Sequence, residues 1–137
     1  MTLNANPRFL YVEDDPYSRQ IIEIILKREM HLSNLVIFEN STNFLDRIHA
    51  LPAAPDIIFL DIQIRPHDGY AMLEMLRNDS QYRNVTIIAM TANVMSHDVE
   101  KLQRAGFSGL IGKPIMRDVF SQLIGNILAG KPVWYVP

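Results

Sequence analysis

The chain has 137 residues, 48% of them apolar and 20% charged, with a net charge of −2 and no cysteine. That length supports one domain, residues 1–137, with a packed core and no covalent staples. The charge offers no basic surface for nucleic acid or anionic lipid, and the missing cysteines exclude disulfides, cysteine-ligated zinc and thiol catalysis.

The opening stretch from Met1 to Pro7 lacks the charged start and apolar run of a signal peptide. No apolar run approaches the length needed to span a bilayer. A soluble, cytoplasmic protein without membrane or direct nucleic-acid contact is expected.

Phe9-Leu10-Tyr11-Val12 is an uncharged run that reads as a buried strand, and it delivers Glu13, Asp14 and Asp15. Asp15 and Pro16 read as the N-cap and first residue of a helix to about Glu29, with Ile21, Ile22, Ile25 and Leu26 as its apolar stripe. Leu35 to Phe38 is a short strand. Ser41 is expected to cap a helix to about His49, with Phe44, Leu45 and Ile48 inward, ended by Pro52 and Pro55.

Ile57-Ile58-Phe59-Leu60 is a second buried strand and ends on Asp61. The loop from Gln63 to Gly69 leads to a helix faced by Ala71, Met72, Met75 and Leu76. Val85 to Met90 is a strand that ends on Thr91, and Met95, Val99 and Leu102 mark a helix stopped at Gly106. Gly109 to Gly112 is a fifth strand, delivering Lys113-Pro114. Val119, Phe120, Leu123, Ile124, Ile127 and Leu128 mark a last helix, ended by Gly130.

Strand and helix alternate five times with short connections. The pattern predicts an α/β fold: a doubly wound, five-stranded parallel sheet with right-handed crossovers. The core spans about residues 8–129. The tail from Lys131 to Pro137 lies outside the pattern, and its Val133-Trp134-Tyr135-Val136 run is expected either to fold back or to meet a partner.

In open α/β sheets, chemistry gathers at the carboxyl ends of the strands. Glu13, Asp14 and Asp61 converge there with Thr91 and Lys113. Three carboxylates together repel, so at least one pKa is expected to rise unless a divalent cation relieves them. All-oxygen ligands select Mg²⁺, Ca²⁺ or Mn²⁺, and magnesium suits a site with few protein ligands and an open side. Asp61 is placed to act as a nucleophile forming an acyl phosphate. Lys113 and Thr91 supply a cation and a hydroxyl for phosphoryl oxygens, and Ala92 leaves room beside them. Taken singly, each of these residues has an ordinary reading: an acidic pair before a helix as a cap, a lone Asp at a strand end as a turn residue.

The set resembles the receiver domain of two-component response regulators, of the stand-alone chemotaxis type, over about Arg8 to Ala129. The signature is distributed: Glu13-Asp14, Asp61, Gly69, Thr91-Ala92 and Lys113-Pro114, each at its place in the strand order. The resemblance implies the flavodoxin-like (βα)5 receiver fold. It implies Asp61 as phospho-acceptor, Thr91 as switch hydroxyl and Lys113 as the phosphoryl-sensing base. It also implies a Mg²⁺ cofactor on Asp14, Asp61 and the backbone carbonyl of Gln63, with Glu13 acting mostly through water.

A sensor histidine kinase or histidine phosphotransfer protein is the implied phosphoryl donor. The chain would catalyse only its own phosphorylation and dephosphorylation, and would exist as a monomer or weak dimer. With no effector pattern after the last helix, output is expected by protein contact or phosphoryl relay. The alternative is a receiver-like docking module that needs no phosphate. A dehalogenase-type phosphatase is disfavoured, because its second Asp would stand where Gln63 does. The resemblance also implies a cis Lys113-Pro114 bond.

Two positions depart from the family pattern. Leu110 stands where an aromatic is usual, and Arg65-Pro66 places a proline one position late. Gln63 is a candidate for positioning water against phospho-Asp61. His31, His49, His67 and His97 lack metal-ligand spacing and read as surface or loop residues.

Overall fold

The computed structural model describes residues 6–137, so the opening stretch from Met1 to Ala5 lies outside the described residues. The elements in chain order are β1 (Phe9–Val12), α1 (Pro16–Glu23), β2 (Leu35–Phe38), α2 (Phe44–His49), β3 (Ile57–Asp61) and α3 (Gly69–Arg77). They continue with β4 (Thr86–Thr91), α4 (Ser96–Ala105), β5 (Gly109–Gly112), α5 (Arg117–Leu128) and β6 (Trp134–Tyr135). The first helix runs on past α1 as a π-helical segment, Ile24–Glu29.

The sheet order is β2-β1-β3-β4-β5-β6 and every pairing is parallel. Alternation along the strands explains why both faces are covered. Leu10, Val12, Ile58, Leu60, Ile87, Ala89 and Leu110 point to the side carrying α2, α3 and α4. Phe9, Tyr11, Ile57, Phe59, Ile88, Met90 and Ile111 point to the side carrying α1 and α5. Phe59 is the hub of the second layer, its ring meeting those of Phe9, Tyr11 and Phe120 at about 6 Å. Strands buried on both faces need apolar residues along their length, and Phe9–Val12 in β1, 57–60 in β3 and 87–90 in β4 supply them.

One expectation is corrected and two are extended. First, the five expected strands form the core of the sheet, and the tail folds back to add a short sixth: Leu110 pairs with Trp134 and Ile111 with Tyr135. Val133 is buried, Trp134 and Tyr135 are half-buried, and the tail is part of the domain. The consecutive apolar residues Val133 to Val136 gave the segment a strand's chemistry, but the two paired residues, Trp134 and Tyr135, are too short a pattern to stand out. Second, Ser41 does not cap α2. Asn43, in the left-handed region at φ 49°, occupies that place. Ser41 is instead buried and its hydroxyl both donates to the His67 carbonyl and accepts from the His67 N–H, each at 2.7 Å. Third, the first helix reaches Glu29 as expected but takes π geometry from Ile24.

Other local signals hold. Asp15 caps α1, its carboxylate accepting from the Ser18 N–H at 2.9 Å, with Pro16 as first helical residue. Gly106 ends α4 at φ 106°. The Lys113-Pro114 bond is cis, and so is Arg65-Pro66.

Candidate functional site

Four neighbouring strand ends form the site. β1 ends before Glu13, and β3 carries Asp61 as its last residue beside Met90 of β4. β4 ends on Thr91, paired with Gly112 of β5, so that Lys113 follows next along the rim. A backbone bond from the Lys113 N–H to the Thr91 carbonyl, 2.8 Å, ties the last two together.

Glu13 is fully buried, which is unusual for a carboxylate and requires that its oxygens be partnered. Its Oε1 accepts from the Tyr11 hydroxyl at 2.8 Å and from Lys113 Nζ at 2.6 Å. Its Oε2 accepts from the Asp15 N–H at 3.3 Å. Lys113 Nζ also reaches Asp61 Oδ1 at 3.4 Å, so one ammonium bridges two carboxylates. Asp61 is buried, with 4% of its surface exposed, while Asp14 is exposed. Among the described residues no buried side-chain nitrogen or oxygen lacks a partner.

This crowding moves the titrations apart. Burial pushes Asp61 up to about 7, with Glu13 and Asp14 adding to the rise and Lys113 opposing it. Burial works against ionised Glu13, yet a proton shared with Asp61 and the bonds from Lys113 and Tyr11 hold it below the usual carboxylate range. Lys113 is raised: burial opposes its charge, but Glu13 and Asp61 outweigh burial. Tyr11 is pushed well above an ordinary phenol by burial and by the Glu13 charge. Two adjacent acids and one ammonium thus share their protons as a unit.

The same geometry fits a hard cation. One carboxylate oxygen from each of Glu13, Asp14 and Asp61 lies within 4.8 Å of the others. An all-oxygen set suits Mg²⁺, Ca²⁺ or Mn²⁺. Lys113 behaves as an internal stand-in cation, its ammonium resting between two of the three carboxylates. Gln63, read for its backbone carbonyl, is exposed two residues beyond Asp61.

On the other flank of Asp61, Thr91 is buried and its Oγ1 accepts from the Asn93 N–H at 3.0 Å. It borders a cleft of about 190 Å³ lined by Ile62, Tyr70, Asn93, Asp98 and Lys101. Lys101 Nζ sits 4.6 Å over the Tyr70 ring, and Tyr70 meets Phe107 edge-on. Gly69 has a steric reason: a Cβ there would lie 2.7 Å from Ile62 Cδ1 and 3.0 Å from the Asp61 carbonyl oxygen. Only glycine lets α3 start so close to the acceptor strand.

The side chains of Glu13, Asp14, Asp61 and Lys113 come together at this rim, and Thr91 stands at the adjoining strand end with its hydroxyl on Asn93. The sequence reading missed Tyr11, read only as part of an apolar run. Its signal was present, since residues two apart on a strand share a face and Tyr11 and Glu13 are so spaced. It also missed Ser41, whose hydroxyl pins the loop after β3. Leu110 is buried against Trp134, so the sixth strand supplies an aromatic beside the position where β5 lacks one.

Residues 9–125 match the response regulator receiver domain family. The chain belongs to this family. Response regulator Rre1 of Synechocystis is 27% identical over 121 residues, covering 88% of this chain and 51% of Rre1. Polar-differentiation response regulator DivK of Brucella ovis is 34% identical over 74 residues, covering 54% of this chain and 60% of DivK. The chain thus spans less than two thirds of the length of either relative.

Among solved structures, chemotaxis response regulator CheY4 of Vibrio cholerae superposes with a TM-score of 0.78 at 18% identity, covering 90% of this chain and 99% of CheY4. The receiver domain of the Pseudomonas aeruginosa sensor histidine kinase PA1611, solved with magnesium in its active-site cleft, gives 0.76 at 26% identity, covering 91% and 99%. Among the described residues no helix is long and apolar enough to cross a membrane.

Proposed function

We propose that this receiver domain is a phosphorylation switch in which Asp61 accepts a phosphoryl group from a phosphohistidine on a sensor histidine kinase or phosphotransfer protein. A carboxylate oxygen of Asp61 attacks phosphorus, the P–N bond breaks, and its electron pair returns to the imidazole nitrogen, which is thereby ready to take a proton. The observation that carries this reading is the buried Asp61 carboxylate, paired with Lys113 and set beside Glu13 at the strand ends. An ordinary turn aspartate has no reason to be placed so.

Asp14 and Asp61, with the Gln63 carbonyl and Glu13 through water, would hold Mg²⁺. When bound, that ion supplies charge neutralisation for the incoming phosphoryl oxygens. The protein's own groups do the rest. Lys113 leaves Glu13 to pair with the phosphoryl group, and Glu13 keeps the Tyr11 hydroxyl as partner. Thr91 turns its hydroxyl from the Asn93 N–H toward a phosphoryl oxygen. These rearrangements favour one conformation over another only by their difference in affinity. The chain turns over no other substrate, and output is by protein contact or relay.

The test is Mg²⁺-dependent phosphorylation by acetyl phosphate, read by intact mass. A phosphate-sized gain is expected in the wild type and none in Asp61→Asn. No gain in the wild type, where a known receiver reacts, would favour phosphate-independent docking. Gln63 is assigned the positioning of water against the acyl phosphate, so Gln63→Ala is expected to change the dephosphorylation rate; an unchanged rate removes that role.

A further inference from the structure

The sixth strand is held lightly and close to the switch. β6 has two residues, Trp134 and Tyr135, both half-buried, and Val136 beyond them is 46% exposed. Pro132 and Pro137 bracket the segment and lack N–H donors, which blunts its outer edge against further strand pairing. β5 is shaped for what lies on it. A Cβ on Gly109 would collide with the Val133 carbonyl oxygen, and one on Gly112 would lie 2.6 Å from Pro137 Cδ and 3.1 Å from the Tyr135 carbonyl oxygen. Both glycines are required by the backbone seated on that edge.

The seat also touches the switch. The same Gly112 Cβ would lie 3.0 Å from Cγ1 of Val94, which belongs to the loop following Thr91. Gly112 immediately precedes Lys113. Because β6 runs parallel to β5, its far end points to the rim where Thr91 and Lys113 stand. Under the phosphorylation reading, rotation of Thr91 away from the Asn93 N–H would free the loop that carries Val94, and departure of Lys113 from Glu13 would move the residue next to Gly112, both beside the end of the tail.

We propose that the β5 edge is a strand-binding surface kept occupied by residues 131–137, and that phosphorylation of Asp61 displaces this segment so that an extended peptide of a partner protein takes its place. The proposal rests on the phosphorylation reading above. The fitting partner segment runs parallel to β5, with an aromatic residue in the Trp134 seat against Leu110 and a β-branched residue in the buried Val133 seat. Reciprocity requires that such a peptide in turn stabilise the phosphorylated form.

Trp134 is the single tryptophan, so its quenching by acrylamide reports the seat directly. The full chain is treated with acetyl phosphate and Mg²⁺, intact mass establishes phosphorylation, and quenching is followed together with binding of a fluorescein-labelled peptide of the sequence 131–137. In phosphorylated protein, quenching is expected to rise toward that of the free peptide, and the labelled peptide to bind roughly tenfold tighter than to the unmodified chain, an ordinary size for coupling between two sites.

Val133→Asp, which puts a charge in the tail's buried seat and leaves β5 unaltered, is expected to raise quenching and binding of the wild-type peptide without phosphorylation, which tests the surface even if the mass shows no phosphate. Val94→Ala is expected to be phosphorylated with a smaller change in quenching. Phosphorylated protein with unchanged quenching and no gain in peptide binding overturns the displacement. Failure of the wild-type peptide to bind Val133→Asp, when its tail is exposed, overturns the surface. A phosphorylation-dependent dimer with Trp134 still protected would mean a second copy's strand fills the seat, and overturns the assignment to a partner.

Discussion

Asp61 stands between two unlike neighbourhoods. Toward β1, the buried polar groups are committed: Glu13 holds Tyr11 and Lys113, and Lys113 holds Asp61. Toward β4, Thr91 faces a cleft and spends its hydroxyl oxygen on one backbone N–H in a loop. The first side fixes charge and the second has room to move. A switch needs both, because a charge added at Asp61 must be balanced in place while some other group is free to respond.

The sharpest way to break this contrast is to remove the cation. Lys113→Met leaves Glu13 and Asp61 facing each other, and in EDTA at neutral pH it is expected to cost about 3 kcal/mol, the low end for a broken buried pair because the lysine side chain is 20% exposed. Urea unfolding measures it. Added Mg²⁺ is expected to recover much of the loss, since the ion would take the ammonium's place. A loss under about 0.5 kcal/mol would mean that the cluster carries little net charge.

A second effect comes from Asp61 itself. Its pKa in the fold, about 7, lies above the ordinary 3.8. Protonated Asp61 therefore stabilises the fold at low pH, and that stabilisation is lost as pH rises through about 7. Glu13, held below its ordinary range, stays ionised throughout this window. Metal-free wild type is expected to lose about 2 kcal/mol between about pH 5.5 and pH 8, and Asp61→Asn to show a nearly flat profile. Thermal melts in EDTA at several pH values decide it, and parallel profiles for the two proteins would reject the raised pKa.

Much of this contrast was legible in the sequence and some was not. Asp61, Thr91 and Lys113 stood out because each ends an uninterrupted apolar run, and a polar residue at the end of a buried parallel strand has only the rim to occupy. The alternation of strand and helix and the two-sided core follow from the same runs. Pairing between residues far apart did not show. That Lys113 rests on Glu13, 100 positions away, depends on how the sheet brings β1 and β5 to one rim. Ser41 carries a generic capping signal, and only the fold shows that its hydroxyl serves His67 instead. The tail's folding back is one of the two expected outcomes, but its pairing as a strand was not legible: two strand residues give no periodicity, and Gly109 and Gly112 read only as the ends of the fifth strand, not as room for a neighbouring backbone.

Tyr11→Phe probes the fixed side more gently. It keeps the ring against Phe59 and removes the hydroxyl that donates to buried Glu13. A hydrogen bond to a charged group supports an expected loss of about 1.5 kcal/mol. Because Lys113 remains on Glu13, phosphorylation by acetyl phosphate is expected to persist while the acyl-phosphate lifetime changes, since Tyr11 is the partner left to Glu13 when Lys113 moves. Unchanged stability and lifetime would make Tyr11 a core residue only.

Thr91→Val is expected to have the smallest effect on stability and the most selective effect on function. The substitution keeps shape and volume in a buried position and removes one acceptor from the Asn93 N–H, a loss of about 1 kcal/mol. The charged side is untouched, so Asp61 is expected to take up phosphate at a similar rate. The loop that carries Asn93 and Val94, however, loses the group that would tell it whether the phosphate is there. Trp134 quenching in the phosphorylated variant is then expected to stay at its resting value. If Thr91→Val instead blocks phosphorylation, Thr91 belongs to the charge-fixing side, and the division of labour across Asp61 fails.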